Sequence, residues 1–258
     1  MKFLPTFVHK LASPPHFHRL ASRLIPWFWA GAAITLLAGL IGGLILAPAD
    51  EEMGEGFRII YVHVPSAWMS LMVYVVMGSA AATGLIWRIK VAHAVASACA
   101  PVGAWFTFLA LVTGAIWGKP MWGTWWVWDA RLTSELVLLF LYLGFIALHS
   151  AIDDTARADR AAGLLAVVGL VNVPIIHYSV EWWTTLHQPA VTDIVIDASG
   201  IDVQSNILDP VMLWSLLIMA VGFKLYFAAI ALTRVRAEVL DREWHKRWAR
   251  EVIAGGES

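Results

Sequence analysis

Residues 91–118 read VAHAVASACAPVGAWFTFLALVTGAIWG, a stretch without a single Asp, Glu, Lys or Arg. A helix rising 1.5 Å per residue needs about 20 such residues to cross the hydrocarbon of a bilayer, so this stretch predicts a membrane-spanning helix. Working outward, uncharged runs at 24–49, 59–87 and 161–180 meet the same requirement. The run 136–152 is charge-free behind Glu135, and 211–232 carries only Lys224, whose long stem can snorkel to the nearer interface. The expected fold class is therefore an all-α integral membrane protein with six transmembrane helices. Its spans fall near 26–47, 64–87, 94–116, 132–149, 161–180 and 211–232, with a tail from 233 to 258. Composition agrees: 59% of residues are hydrophobic, 14% are charged, and mean hydropathy is +0.69. A soluble domain of this length needs far more charged surface.

Orientation follows from the cations. With the N-terminus inside, Lys2, Lys10, Arg19 and Arg23 lie in the first tail, Arg88 and Lys90 in the first inner loop, and Arg157 and Arg160 in the second. Arg234, Arg236, Arg242, Lys246, Arg247 and Arg250 follow the last span, leaving only Arg58, Lys119 and Arg131 outside. That bias predicts cytoplasmic N- and C-termini. The N-terminus reads as a retained tail, because its apolar run begins too late for a cleaved signal. The net charge of −1 excludes a basic nucleic-acid footprint, and the lone Cys99 excludes an intrachain disulfide. Three outer segments result, near 48–62, 117–131 and 181–210. The last holds Glu181, Asp193, Asp197, Asp202 and Asp209 but no cation. Its Asp-Ala-Ser-Gly run at 197–200 reads as a turn within a polar loop.

The second outer segment, a Trp-rich loop between helices 3 and 4, carries the most chemistry. From 117 to 128 it holds Trp117, Trp122, Trp125, Trp126 and Trp128, with Gly118, Pro120 and Gly123 interrupting any simple lipid-facing helix. Dense indoles suit a flat, large, apolar ligand, each aromatic pair contributing roughly 0.5–1.5 kcal/mol beyond area burial. The competing reading is an interfacial aromatic belt. His63 precedes Pro65 at the start of the second span, a place that tolerates proline in the first helical turn, and His187 follows the fifth. Two neutral imidazoles bracketing the indoles are what a six-coordinate haem iron requires. His177, within the fifth span near Pro174, fits a functional role or a structural hydrogen bond equally well. The outer cations Arg58, Lys119 and Arg131 either pair with carboxylates such as propionates or anchor to lipid headgroups. Asp129 either orients the Trp segment or pairs with Arg131. No Cys-x-x-Cys-His occurs, so the chain is not itself a c-type cytochrome.

Trp122-Gly-Thr-Trp-Trp-Val-Trp-Asp129 resembles the tryptophan-rich WWD motif of haem-handling membrane proteins, and its surroundings resemble the CcmC family of bacterial cytochrome c maturation. Tyr61-Val-His-Val-Pro-Ser-Ala-Trp68 and Pro174-Ile-Ile-His-Tyr-Ser-Val-Glu-Trp-Trp-Thr-Thr-Leu-His187-Gln188 belong to the same likeness, which runs from about 26 to 232. Larger members of the WWD group attach haem to apocytochromes, whereas six spans point to CcmC. The resemblance implies oxidised, non-covalent b-type haem ligated by His63 and His187 on the periplasmic side of the inner membrane. From there it would be presented to the haem chaperone CcmE. It also implies the ABC transporter subunits CcmA and CcmB and the small protein CcmD as partners. The expected site is His63, His187, Trp117, Trp122, Trp125, Trp126, Trp128, Asp129, Arg58 and Arg131, with no catalytic nucleophile or acid–base group. Two other readings compete: a b-type electron-transfer cytochrome, and a permease subunit whose indoles only pack helices.

Overall fold

The computed structural model describes residues 10, 12–187, 193–197, 200–204 and 208–255. The helices are α1 (Pro14–Ile41), α2 (Ile60–Trp87), α3 (Lys90–Trp122), α4 (Ala130–Ala151), α5 (Thr155–Gly169), α6 (Asn172–Trp182), α7 (Pro210–Arg242) and α8 (Arg247–Ile253). A π-helical turn, Gly42–Leu46, prolongs α1, and a 3-10 turn, Glu55–Ile59, leads into α2. Six helical stretches are long and apolar enough to cross a membrane, α5 and α6 together forming the fifth. The break at Leu170 and Val171 has a local cause: Pro174 lacks the N–H that would bond the Leu170 carbonyl. Asn172 Nδ2 there donates to the Ser134 carbonyl at 2.9 Å and ties the break to α4.

The helices outrun the apolar stretches that announce them. α1 begins at Pro14, so Arg19 and Arg23 sit on its first turns, and α7 continues ten residues past 232. The 3-10 turn and an early start to α2 put Pro65 sixth in the helix rather than in its first turn; it leaves the Tyr61 carbonyl without its usual donor.

α1 packs chiefly along α7, α2 along α3, and α4 along α5. The largest core cluster joins Met69, Val73, Tyr74 and Met77 of α2 to Cys99 and Phe106 of α3 and to Leu138 and Tyr142 of α4. Close approach depends on small residues, as expected where lipid supplies no drive between helices. Tyr142 lies against Gly103, where no Cβ would fit, and donates its hydroxyl proton to the Ser70 carbonyl at 2.8 Å. Ile34, Leu37, Ile45, Leu164 and Val168 point away from the bundle, a surface that only lipid or another apolar body can cover.

Six crossings return the chain to the side on which it starts. His18 meets Trp248 with ring centroids 5.9 Å apart, and Arg236 donates to Ser22 Oγ at 3.3 Å. Most cations gather at this end. The opposite end holds Arg58, Lys119 and Arg131 together with His63, His187 and the Trp segment. There the expected polar loop contains an antiparallel hairpin, β1 (Asp193–Asp197) with β2 (Gly200–Gln204), in which Asp197 pairs with Gly200. The pairing agrees with a reversal at 197–200, although Ala198 and Ser199 lie outside the described residues.

Candidate functional site

His63 is built into the first turn of α2, held between the 3-10 turn and α3. Its side chain is only 8% exposed. Nδ1 lies 3.0 Å from Thr113 Oγ1, and that hydroxyl lies 2.6 Å from the Leu109 carbonyl. A carbonyl can only accept, so the threonine proton goes to Leu109 and the threonine oxygen accepts from His63 Nδ1–H. The tautomer follows: Nε2 keeps its lone pair. Gly114 makes room for the ring, since a Cβ there would lie 3.0 Å from His63 Cε1. Trp117, one turn farther along α3, meets the imidazole edge-on at 5.5 Å and 76°. Its own indole is fixed by Phe57 at 5.6 Å and by Nε1 donating to Met53 Sδ at 3.2 Å.

His187 reaches the same place from the segment after α6. Its ring centroid is 6.4 Å from that of His63, with the planes tilted by 35°. The backbone N–H of His187 donates to Thr185 Oγ1 at 3.0 Å, and Thr185 Oγ1 donates to Asp129 Oδ2. Asp129 is also the N-cap of α4, its Oδ1 accepting from Leu132 N at 2.8 Å. One carboxylate thus fixes both the end of the Trp segment and the segment bearing His187.

The Trp segment is pinned at both ends. Gly123 closes α3 with φ +74°, a conformation costly to any side chain with a Cβ, and Lys119 Nζ donates to the Gly123 carbonyl at 2.8 Å. Asp129 opens α4. Trp122, the last residue of α3, turns back over Gly118; between the two caps Trp125 lies under the Lys119 ammonium, and Trp126 meets Trp128 edge-on at 5.5 Å. Trp125 and Trp128 are 57% and 75% exposed. At the end of α6 Tyr178 stacks on Trp182, which meets Trp183, and both indoles are exposed. Trp126 differs: its Nε1 is buried with no hydrogen-bond partner among the described residues, an expensive state that a ligand acceptor would relieve.

The remaining expected residues separate. Arg131 sits on the first turn of α4 and donates weakly to the Ile176 carbonyl at 3.4 Å. Arg58 is engaged elsewhere: Nε lies 2.5 Å from Glu55 Oε2, and Nη1 reaches the Gly43 and Ala47 carbonyls at 2.5 and 3.1 Å, closing the π-helical end of α1. His177 is exposed on α6, edge-on to Tyr178 at 4.7 Å, and does not join the histidine pair. Sequence reasoning missed Thr113, Gly114 and Thr185, whose importance depends on contacts across the fold.

A metal–imidazole bond of about 2 Å puts two imidazole centroids on opposite sides of one metal roughly 6 Å apart, close to the 6.4 Å separation here. A family profile described as Heme exporter protein C (CcmC) matches residues 7–250. Heme exporter protein C of Escherichia coli K12 is 49% identical over 246 residues, covering 95% of this chain and 96% of the relative. The Haemophilus influenzae protein of that name is 46% identical over 245 residues (95% and 96%), and that of Rhodobacter capsulatus 38% over 249 residues (96% and 99%).

Proposed function

From the premise that this chain belongs to the Heme exporter protein C (CcmC) family, and is a multi-pass protein of the bacterial inner membrane, we propose that it holds haem for cytochrome c maturation between His63 and His187 and presents it to the chaperone CcmE. The family name supports a role in haem handling. The observation that carries the finer reading is the pair of imidazoles 6.4 Å apart, one of them prepared as an Nε2 ligand by Thr113.

Haem is cargo here, non-covalent, b-type and oxidised. The cation distribution supports a site on the periplasmic face with both termini cytoplasmic. Trp117 walls the iron-binding end, while exposed Trp125 and Trp128 offer stacking surface to the porphyrin or the chaperone. Arg131 is the better propionate partner, since Arg58 already satisfies Glu55 and two carbonyls. Trp126 Nε1 can donate to the same carboxylates. The two ligands sit on different supports: His63 is buried in a helix, whereas His187 lies on a bent, non-helical segment whose backbone is tied to Thr185. His187 is accordingly the ligand to dissociate when haem leaves. The step needs binding, orientation and release, with no nucleophile drawn from this chain. CcmA, CcmB and CcmD complete the proposed partner set.

Purification from haem-replete cells tests this reading through oxidised and reduced visible spectra. A low-spin bis-histidine spectrum is expected in wild type, lost or converted in His63→Ala and His187→Ala. A spectrum unchanged in both variants refutes the ligand assignment.

A further inference from the structure

We propose that the end of the bundle opposite the histidine pair binds an anionic phospholipid, its phosphate held by Arg88 and Arg160. The site is separate from the haem-handling residues and does not depend on their reading.

A cavity of about 600 Å³ opens where the end of α2, the starts of α3 and α5, and the end of α7 converge. Its acids are already neutralised. Asp159 takes both guanidinium nitrogens of Arg242, at 2.8 and 3.0 Å, and His149 Nε2 lies 3.1 Å away. Glu243 takes Lys90 Nζ at 3.1 Å. Arg88 and Arg160 line the same cavity, and among the described residues neither has a hydrogen-bond or ion-pair partner. The cavity therefore presents two surplus guanidinium charges, which suit a phosphate.

Arg88 carries a second signal. Among the described residues it alone, glycine aside, has positive φ (55°), capping α2 where glycine is the ordinary choice. Backbone strain of this kind collects at ligand clamps.

What distinguishes a lipid from a soluble phosphate lies one helical turn deeper. A second cavity, of about 360 Å³ and wholly apolar, is lined by Phe17, Phe28, Val95, Cys99, Phe227 and Val235. Val95 lies one turn inward from Val91 on α3, and Val235 one turn inward from Val239 on α7; Val91 and Val239 line the charged cavity. Charge over an apolar groove on the same helices matches an amphiphile with a phosphate head and an acyl tail. Trp87 and Trp244 lie exposed near this level, where indoles mark a headgroup region. Basic pockets between spans on the cation-rich side are recognised seats for acidic headgroups.

The test uses the full-length protein in neutral detergent, titrated with short-chain phosphatidylglycerol, phosphatidylcholine of equal chain length, or pyrophosphate. Thermal stability and lipid retention by native mass spectrometry are the readouts. Phosphatidylglycerol is expected to be retained and to raise Tm. Arg88→Gly and Arg160→Gln should each weaken it about fivefold, and the double variant roughly 25-fold. Arg88→Gly suits the local φ and Arg160 is an exposed helical residue, so both variants should keep wild-type helix content by circular dichroism. Equal stabilisation by phosphatidylcholine overturns the charge argument. Pyrophosphate matching the lipid overturns the amphiphile, and unchanged affinity in the folded double variant overturns the site.

Discussion

Thr113→Val is the sharpest perturbation available, because it removes one oxygen and little else. Valine keeps the β-branched shape in a helix, so α3 and its packing should survive. What is lost is the acceptor for His63 Nδ1–H at 3.0 Å. The imidazole is buried, and an orphaned donor in such a place costs about 1–3 kcal/mol. The ring can escape that cost by moving its proton to Nε2, the nitrogen that should face the iron. Either way ligation suffers, and at about 1.4 kcal/mol per tenfold the expected loss of haem affinity is about 10- to 100-fold, the usual range for a lost outer-shell partner. The assay is the rate of haem transfer to excess apomyoglobin, read at the Soret band, with Thr113→Ser beside it. Serine restores the acceptor without the methyl group, so a purely structural role for Thr113 would not be rescued. A wild-type rate in Thr113→Val, with bis-histidine absorption intact, refutes the tautomer argument.

Two further substitutions probe the same site from other sides. Thr185→Val cuts the link between Asp129 and the His187 backbone while leaving the Asp129 cap on α4 intact; helix content should hold, and the spectrum should shift toward single-histidine ligation, measured by electron paramagnetic resonance of the oxidised protein. Trp126→Phe removes a buried N–H that has no partner among the described residues, so the haem-free protein should be as stable as wild type or more so by thermal melting, whereas haem retention through a desalting column should fall.

How much of this was legible in the sequence depends on the range of the forces involved. Six spans could be read because lipid imposes a length and a polarity on every crossing helix. His63 and His187 stood out because each lies where a span meets the outer interface, beside indoles too dense for an ordinary belt. The break at Leu170 was half visible in Pro174. The hairpin 193–204 carried a signal that its acidity obscured: Asp-Ile-Val-Ile-Asp and Gly-Ile-Asp-Val-Gln are rich in β-branched residues around a turn. Thr113 and Thr185 were not legible, because a hydroxyl acquires meaning only from the residue opposite it, 50 positions away in one case and 56 in the other. Arg58 read in sequence as a propionate partner or a headgroup anchor, and only the fold shows that it holds the π-helical end of α1.

Asp129 shows why the acidic end of the Trp run matters more than its position suggests. A carboxylate following indoles in an outer loop invites a simple charge role, against Arg131 or a ligand. Its two oxygens instead divide their work, Oδ1 starting α4 and Oδ2 holding the hydroxyl that holds His187. Gly123 stops α3 at the other end of the segment. The indoles from Trp125 to Trp128 are thus strung between two helix caps, and the second cap is also the anchor of the segment bearing His187. Any displacement of the Trp segment, by porphyrin stacking or by a docking chaperone, therefore bears on Thr185 and through it on His187. On the proposed function, the fold would thereby couple a recipient-facing surface to the histidine proposed to release the iron.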